Sequence, residues 1–346
     1  MEKEEKIRVG ISIGDLNGIG SEIIIKTFED PRMLDFCTPI IFASQQSMSF
    51  FKKHFNSKIN FHFANSINQI KHSKVNVVNS WKGNVNIKFG VEDKKIGEFA
   101  IKSLETAVKA LKSNAIDALV TAPINKHNIQ SETFKFPGHT DYLAEQLGGQ
   151  SLMFMITENL RVGLLTDHVP VKDVSGHIDE ALIISKVNTV HETLKKDFKI
   201  AKPKIALLGI NPHAGDNGVI GKEDDDIIRP TLLKLKEEGK LVFGPYSADS
   251  FFGSNSYKNF DAILAAYHDQ GLIPFKTISF GEGVNFTAGL SKVRTSPDHG
   301  TAYEIAGKNK ADETSFKEAV FKAIQIFRNR NEYEIYASNP LKVASN

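Results

Sequence analysis

Three histidines share a local context that suits metal chemistry. Each follows an apolar run of strand character: VGLLTDH ends at His168, IALLGINPH at His213 and AILAAYH at His268. In open α/β sheets ligands gather beyond the carboxyl ends of strands, so three such ends can bring three imidazoles together despite wide separation in the chain. Neutral imidazoles suit zinc and related divalent ions, and a three-histidine set leaves coordination positions open for substrate or water. Asp167 and Asp269 adjoin two of these histidines and are candidates to orient them. Any one of the three alone reads more readily as a strand-end residue bonded to backbone; the threefold repetition is what favours a site. Six others, His54, His62, His72, His127, His177 and His191, lie in polar or helical segments and are assigned no chemistry.

Two further segments concentrate groups that meet anions. In FPGHTDY, Pro137-Gly138 puts His139 and Thr140 on a turn before an expected helix. Thr140 can either cap that helix or contact a ligand, and a donor on His139 at a helix start is well placed to receive an anion. After His268 come Lys276 and FGEGVNFTAGLSKVR, with Gly281, Gly283, Asn285, Gly289 and Arg294. Glycines let backbone amides approach an anion, and a lysine with an arginine supplies charge-assisted hydrogen bonds to phosphate or carboxylate. The competing reading of this stretch is a flexible loop with solvated charges.

Several common signatures are missing. Gly14, Gly18 and Gly20 have the wrong spacing for a dinucleotide-binding G-x-G-x-x-G. GDNGVIGKED only superficially resembles a P-loop, because Glu223 follows Lys222 where serine or threonine is required. No G-x-S-x-G elbow appears, which argues against an α/β-hydrolase.

The elements that must position these residues read as short aliphatic strands alternating with helical segments, the pattern of a mostly parallel sheet covered by helices. Strands are expected at Ile7 to Ile13, Thr38 to Ala43, Lys74 to Val78, Ala115 to Thr121, Lys204 to Ile210 and Asp261 to Tyr267. Two apolar runs flank Glu158-Asn159 as in a hairpin, so the sheet is expected to be mixed. Helical periodicity is clearest over Ile96 to Lys112 and recurs at Ser175 to Leu194, at Lys222 to Glu238 with Pro230 interrupting, and at Thr314 to Phe327. Arg328 to Asn346 reads as a peripheral tail.

Composition sets the outer limits. With 346 residues the chain is long enough for about two domains. Forty-three basic against 41 acidic residues leave a net charge of +2, which gives no global case for a nucleic-acid or membrane partner, so an anionic ligand must be met locally. The single cysteine, Cys37, fits a reducing compartment, and the apolar stretch Val9 to Ile13 is too short for a signal-peptide core or a membrane span. A cytoplasmic location is expected.

GISIGDLNGIGSE, TAPINK, FPGHTDY, LLTDHVPVKDV, GINPHAGDNGVIGKED, GPYSADSFF, AAYHDQGLIPFK and GVNFTAGLSKVRTSPDHGTA occur in that order. Together they resemble the 4-hydroxythreonine-4-phosphate dehydrogenase family of pyridoxal phosphate biosynthesis, over most of the chain up to about Gly307. The first loop departs from a proline-containing version common in that family, while Asp15, Gly18 and Gly20 remain. The resemblance implies an isocitrate/isopropylmalate dehydrogenase-like α/β fold of two lobes with a mixed, mostly parallel sheet and a cleft between lobes. It also implies a cofactor-side lobe from 1–127 with 288–346, and a substrate, metal and dimerisation lobe from 128–287.

On the same basis His168, His213 and His268 are the metal ligands, and His139, Thr140, Lys276, Asn285 and Arg294 contact a phosphorylated substrate. Lys276 and Asp249 are the general acid or base candidates, although Ser247-Ala248-Asp249 can equally begin a helix. The implied cofactors are NAD or NADP and one divalent ion, zinc first, with magnesium or cobalt as alternatives. The implied assembly is a homodimer in which the partner supplies the ligand equivalent to His268. Rival readings are a paralogous dehydrogenase of a sugar-acid phosphate such as threonate 4-phosphate, a metal-dependent hydrolase or aldolase, and a non-catalytic binding protein.

Overall fold

The computed structural model describes residues 6–132 and 134–338. The chain divides into two compact units, one running to Ser151 and resuming over Val284–Gln325, the other formed by Leu152–Gly283 with the chain from Ile326 onward.

The first unit contains β1 (Ile7–Ser12), β2 (Cys37–Ala43), β3 (Phe61–Ala64), β4 (Val75–Asn79) and β5 (Ala118–Thr121). Between them run α1 (Gly20–Glu29), α2 (Met33–Phe36), α3 (Gln45–His54) and α4 (Lys94–Lys112), and α5 (His139–Leu147) follows. The second unit is built on β6 (Gly149–Ile156), β7 (Arg161–Leu164), β8 (Lys204–Leu208), β9 (Leu241–Tyr246) and β10 (Ala262–Ala265). Its helices are α6 (Val174–His177), α7 (Glu180–Phe198), α8 (Arg229–Glu237), α9 (Ala248–Gly253) and α10 (His268–Ser279). The chain then returns to the first unit with β11 (Val284–Leu290) and β12 (Val293–Pro297), and ends in α11 (Thr314–Ser338).

In the first unit the strand order is β3-β4-β2-β1-β5-β12-β11, parallel except where β11 runs antiparallel to β12. In the second it is β6-β7-β10-β8-β9, parallel except for the β6–β7 hairpin expected at Glu158-Asn159. Parallel strands covered on both faces carry unbroken apolar runs, and β2, β5 and β10 are buried at every residue. Helix α4 starts where the Asp93 side chain accepts the Lys95 N–H. It buries Leu104, Val108 and Leu111 on the first unit's core, each worth about 1.5–3 kcal/mol of transfer free energy.

Four expectations change on contact with the structure. The segment from Ser175 to Leu194 is two helices, because Asp179 caps α7 by accepting the Leu182 N–H at 2.7 Å and so ends α6 before it. Pro230 does not break the run: residues 223–237 are continuously helical, and a π-helical turn over Asp224–Ile228 stands just before the residue that lacks an N–H. The glycine-rich stretch after Lys276 is the antiparallel pair β11–β12 instead of a loop. Arg328 to Ser338 is no tail: it continues α11, and buried Arg330 grips Asp197 through Nε and Nη2, both at 2.9 Å. The last eight positions of that expected tail lie outside the described residues.

Candidate functional site

Two clusters emerge, one in each unit. In the second unit the strand order β7-β10-β8 makes three strands that are far apart in sequence direct parallel neighbours. Their carboxyl ends lead, within five residues, to His168, His268 and His213 respectively. The imidazole centroids of His168 and His268 are 5.9 Å apart. His213 sits on the short turn Pro212–Gly215 with a left-handed backbone, φ 54°. Among the described residues no three His, Cys, Asp or Glu side chains approach closely enough to hold a metal ion.

The neighbouring carboxylates behave differently. Asp269 Oδ1 lies 2.8 Å from His268 Nδ1, which leaves Nε2 as the ring's available ligand atom. Asp167 accepts the backbone N–H of His168 at 2.7 Å, and its other oxygen is 3.8 Å from that ring's Nδ1. The donor chemistry of this cluster therefore fits a divalent ion: imidazoles at one end of adjacent strands, one of them fixed by a carboxylate.

Asp249 stands in the first turn of α9, with the Ser247 hydroxyl donating to its Oδ1 at 2.5 Å. That bond, the Ser250 N–H and the nearby His213 hold its carboxyl below the usual range, so it is ionised at neutral pH. Ser247 occupies the cap position without a side-chain cap bond. Lys276 is exposed on α10, two turns and about 12 Å of helical rise beyond His268.

The first unit holds the other cluster. Arg294 is on β12 and is only 2% exposed. Continuing the β11–β12 register, in which Phe286 faces Thr295, sets Thr287 opposite Arg294. The Arg294 guanidinium donates to Thr287 Oγ1 at 3.0 Å and twice to Thr121 Oγ1, at 3.1 and 2.5 Å. Those bonds use three of its five N–H groups, and no described carboxylate pairs with it. Burial pulls the guanidinium down to about 9.

Around it are further unsatisfied atoms. Asn285 Oδ1, two residues from Thr287 on the same face of β11, is buried without a partner, and so is His139 Nε2. Burial first, then the cations of Arg294 and Lys126, push the His139 pKa well below its ordinary value, so this ring is neutral. His139 opens α5, whose cap position is Gly138; no side chain caps it, which removes the capping role considered for Thr140. A buried cation without a described anion, a neutral imidazole and the open start of a helix are chemistry suited to a small anion, whereas the orphaned Asn285 oxygen is an acceptor and calls for a donor.

The sequence reading missed Thr121, Thr287 and Lys126. Thr121 and Lys126 both belong to TAPINK, so the signal lay in the motif, but their proximity to Arg294 depends on β5 pairing with β12.

The family model for the pyridoxal phosphate biosynthetic protein PdxA matches residues 35–323. A 4-hydroxythreonine-4-phosphate dehydrogenase of Bacteroides thetaiotaomicron is 47% identical over 342 residues, covering 98% of this chain and 94% of the relative. Among solved structures, a 4-hydroxythreonine-4-phosphate dehydrogenase from Burkholderia phymatum matches with TM-score 0.77 and 31% identity, over 93% of this chain and 99% of that one. The enzyme of that name from Klebsiella pneumoniae matches with TM-score 0.81 and 28% identity, over 94% and 99%.

Proposed function

The chain belongs to the PdxA family, and from that premise we propose that it catalyses the nicotinamide-linked oxidation of 4-phosphooxy-L-threonine in pyridoxine 5'-phosphate biosynthesis. It is an oxidoreductase. Loss of hydride from the carbinol carbon and of the hydroxyl proton gives 2-amino-3-oxo-4-(phosphooxy)butanoate. That β-keto acid loses carbon dioxide to give 3-amino-2-oxopropyl phosphate.

The observation that carries the reading is Arg294, a fully enclosed guanidinium with threonine hydroxyls as its only described partners. Burying such a charge is costly, and a bound anion would compensate it. In this assignment Arg294 grips the substrate phosphate, Asn285 and Thr140 orient it, and neutral His139 donates to it without adding a charge that repels Arg294. Lys276 is a further candidate contact to the substrate. Asp249, already ionised, suits the role of proton acceptor from the substrate hydroxyl, with Lys276 as the alternative acid or base.

His168, His213 and His268 would hold the divalent ion, zinc with magnesium or cobalt as alternatives. Bound there, such an ion supplies Lewis-acid stabilisation of negative charge on the substrate oxygen and on the electrons released in decarboxylation. NAD or NADP supplies the hydride acceptor. We assign cofactor binding to 1–127 with 288–346, and substrate, metal and dimer contacts to 128–287, with Arg294 as a substrate contact outside that range. The working assembly is a homodimer whose sites share residues, with His268 supplied across the interface, and its location is the cytoplasm. Among the described residues no helix is long and apolar enough to cross a membrane.

The test is an assay of reduced-nicotinamide absorbance with 4-phosphooxy-L-threonine and with threonate 4-phosphate, each with and without chelator. Turnover on the amino acid substrate, lost on chelation, is expected. Faster turnover of threonate 4-phosphate would point to the paralogous dehydrogenase, and product without any absorbance change to a hydrolase or aldolase.

A further inference from the structure

The histidine loops leave three adjacent strands, and beyond the last ladder bonds, such as Thr166 N–H to Ala266 O at 3.2 Å, other groups must fix their positions. His213 and Ala214 both have left-handed backbones, φ 54° and φ 50°, a conformation that costs a residue with a Cβ about 1–2 kcal/mol. Strain of this kind persists only where surrounding structure over-determines it.

The restraint on the His213 loop is Asp224, a carboxylate with no exposed surface. It accepts the Ile210 N–H at 2.9 Å, the Asn211 N–H at 3.0 Å and the Asn211 side-chain amide at 3.0 Å. Glu223 takes the same amide at 2.8 Å. A Cβ on Gly209 would come within 2.8 Å of Asp224 Oδ1 and 3.0 Å of Ala214, so the loop closes tightly around the carboxylate. Asp224 opens the π-helical turn before α8, a local irregularity that commonly marks functional sites.

A second side chain ties this loop to the next. Gln270 on α10 donates to Gly209 O at 2.7 Å and accepts the Ala266 N–H at 2.7 Å. It thereby joins the end of β8, which leads to His213, to the end of β10, which leads to His268. Ala266 is bonded in turn to the end of β7: its carbonyl accepts the Thr166 hydroxyl at 2.7 Å and the Thr166 N–H at 3.2 Å. One continuous belt of hydrogen bonds thus runs from the His168 loop to the His213 loop.

We propose that Asp224 and Gln270 are positioning residues for divalent-ion binding: Asp224 fixes the His213 loop, and Gln270 ties that loop to the His268 loop, which in the proposed homodimer serves the partner's site. This rests on the metal reading above. Neither contacts the ion; each acts by fixing backbone from which a histidine projects. Outer partners of this kind commonly govern metal affinity by 10–100-fold.

The experiment uses full-length, metal-stripped protein as purified. Zinc affinity is measured by competition with a chromophoric chelator, and the cobalt-substituted protein is followed by its visible ligand-field absorption. Wild type, His213→Ala, Asp224→Asn and Gln270→Met are compared, with far-ultraviolet circular dichroism to check folding. Gln270→Met keeps length while removing both hydrogen bonds. The expected result is that His213→Ala loses the tight site, while Gln270→Met and Asp224→Asn weaken zinc by about 10–100-fold and shift the cobalt spectrum. Wild-type affinity and spectrum in folded Gln270→Met overturn the proposal, and that variant decides alone if Asp224→Asn does not fold. Failure of the metal reading looks different: wild type and His213→Ala would then bind zinc equally.

Discussion

Replacing Arg294 with methionine removes the buried charge while keeping an unbranched chain in the space. Burial lowers this guanidinium from 12.5 to about 9, which corresponds to roughly 5 kcal/mol against the protonated form. Lost packing and two newly unpaired threonine hydroxyls offset part of the relief, so the ligand-free variant should be more stable than wild type by about 1–3 kcal/mol. Substrate binding should move the other way. Two unused N–H groups, each making a charge-assisted bond worth about 1.5–3 kcal/mol, give a loss near 3 kcal/mol or more, or about 100-fold in KM. Arg294→Lys should fall between, since it restores charge without the planar fork.

The assay is steady-state kinetics with 4-phosphooxy-L-threonine and nicotinamide cofactor varied separately, alongside urea unfolding of the ligand-free protein. Two results would refute the reasoning. One is an equal rise in KM for substrate and cofactor, which removes the specific link to phosphate. The other is a ligand-free Arg294→Met protein several kcal/mol less stable than wild type, which would make the guanidinium a structural cation.

His213→Ala should abolish chelator-sensitive turnover while leaving the circular dichroism spectrum unchanged; undiminished activity in the purified variant would sink the metal assignment. Asp15 is buried and its pKa is raised, mainly by desolvation, against bonds from Tyr303, Asn17 and Asn128. The folded state therefore keeps a proton that the unfolded state releases, and wild-type stability should fall as pH rises from 3.8 towards the raised value. Asp15→Asn should lack that component, so its stability relative to wild type, measured by urea unfolding, should increase across the window; a flat difference would contradict the burial argument. Burial pushes the Cys37 thiol up to about 12, so iodoacetamide at neutral pH should leave the folded protein unlabelled and modify Cys37 only on unfolding; rapid labelling of the native protein would show that the site opens.

The fold was readable where one physical signal dominated. The strand AILA is apolar throughout and ALVT is so but for Thr121, because helices cover both faces of a parallel sheet, and such a short buried run between polar segments suits little else. Signals that competed misled. The glycines of FGEGVNFTAGL favour a loop by local preference, yet the partner strand β12 imposes an extended backbone through much of it. The polar composition of Arg328 to Ser338 hides a buried contact, because Arg330 is enclosed by pairing with Asp197, a residue 133 positions away.

By itself the sequence determined which groups are available: three histidines after apolar strands, a histidine at a helix start, and an arginine near glycines. Residue chemistry and short-range periodicity are local properties, so they survive in a linear text. The tertiary structure alone decided who meets whom. The order β7-β10-β8 differs from chain order, and only that pairing makes His213 and His268 occupants of neighbouring loops linked by Gln270. Likewise, nothing in KVRTSP says that Arg294 is enclosed with two threonines and no described carboxylate; that follows from β12 lying between β5 and β11. The charge of an arginine is written in the sequence, but its unmet need for an anion comes from the desolvation that packing imposes.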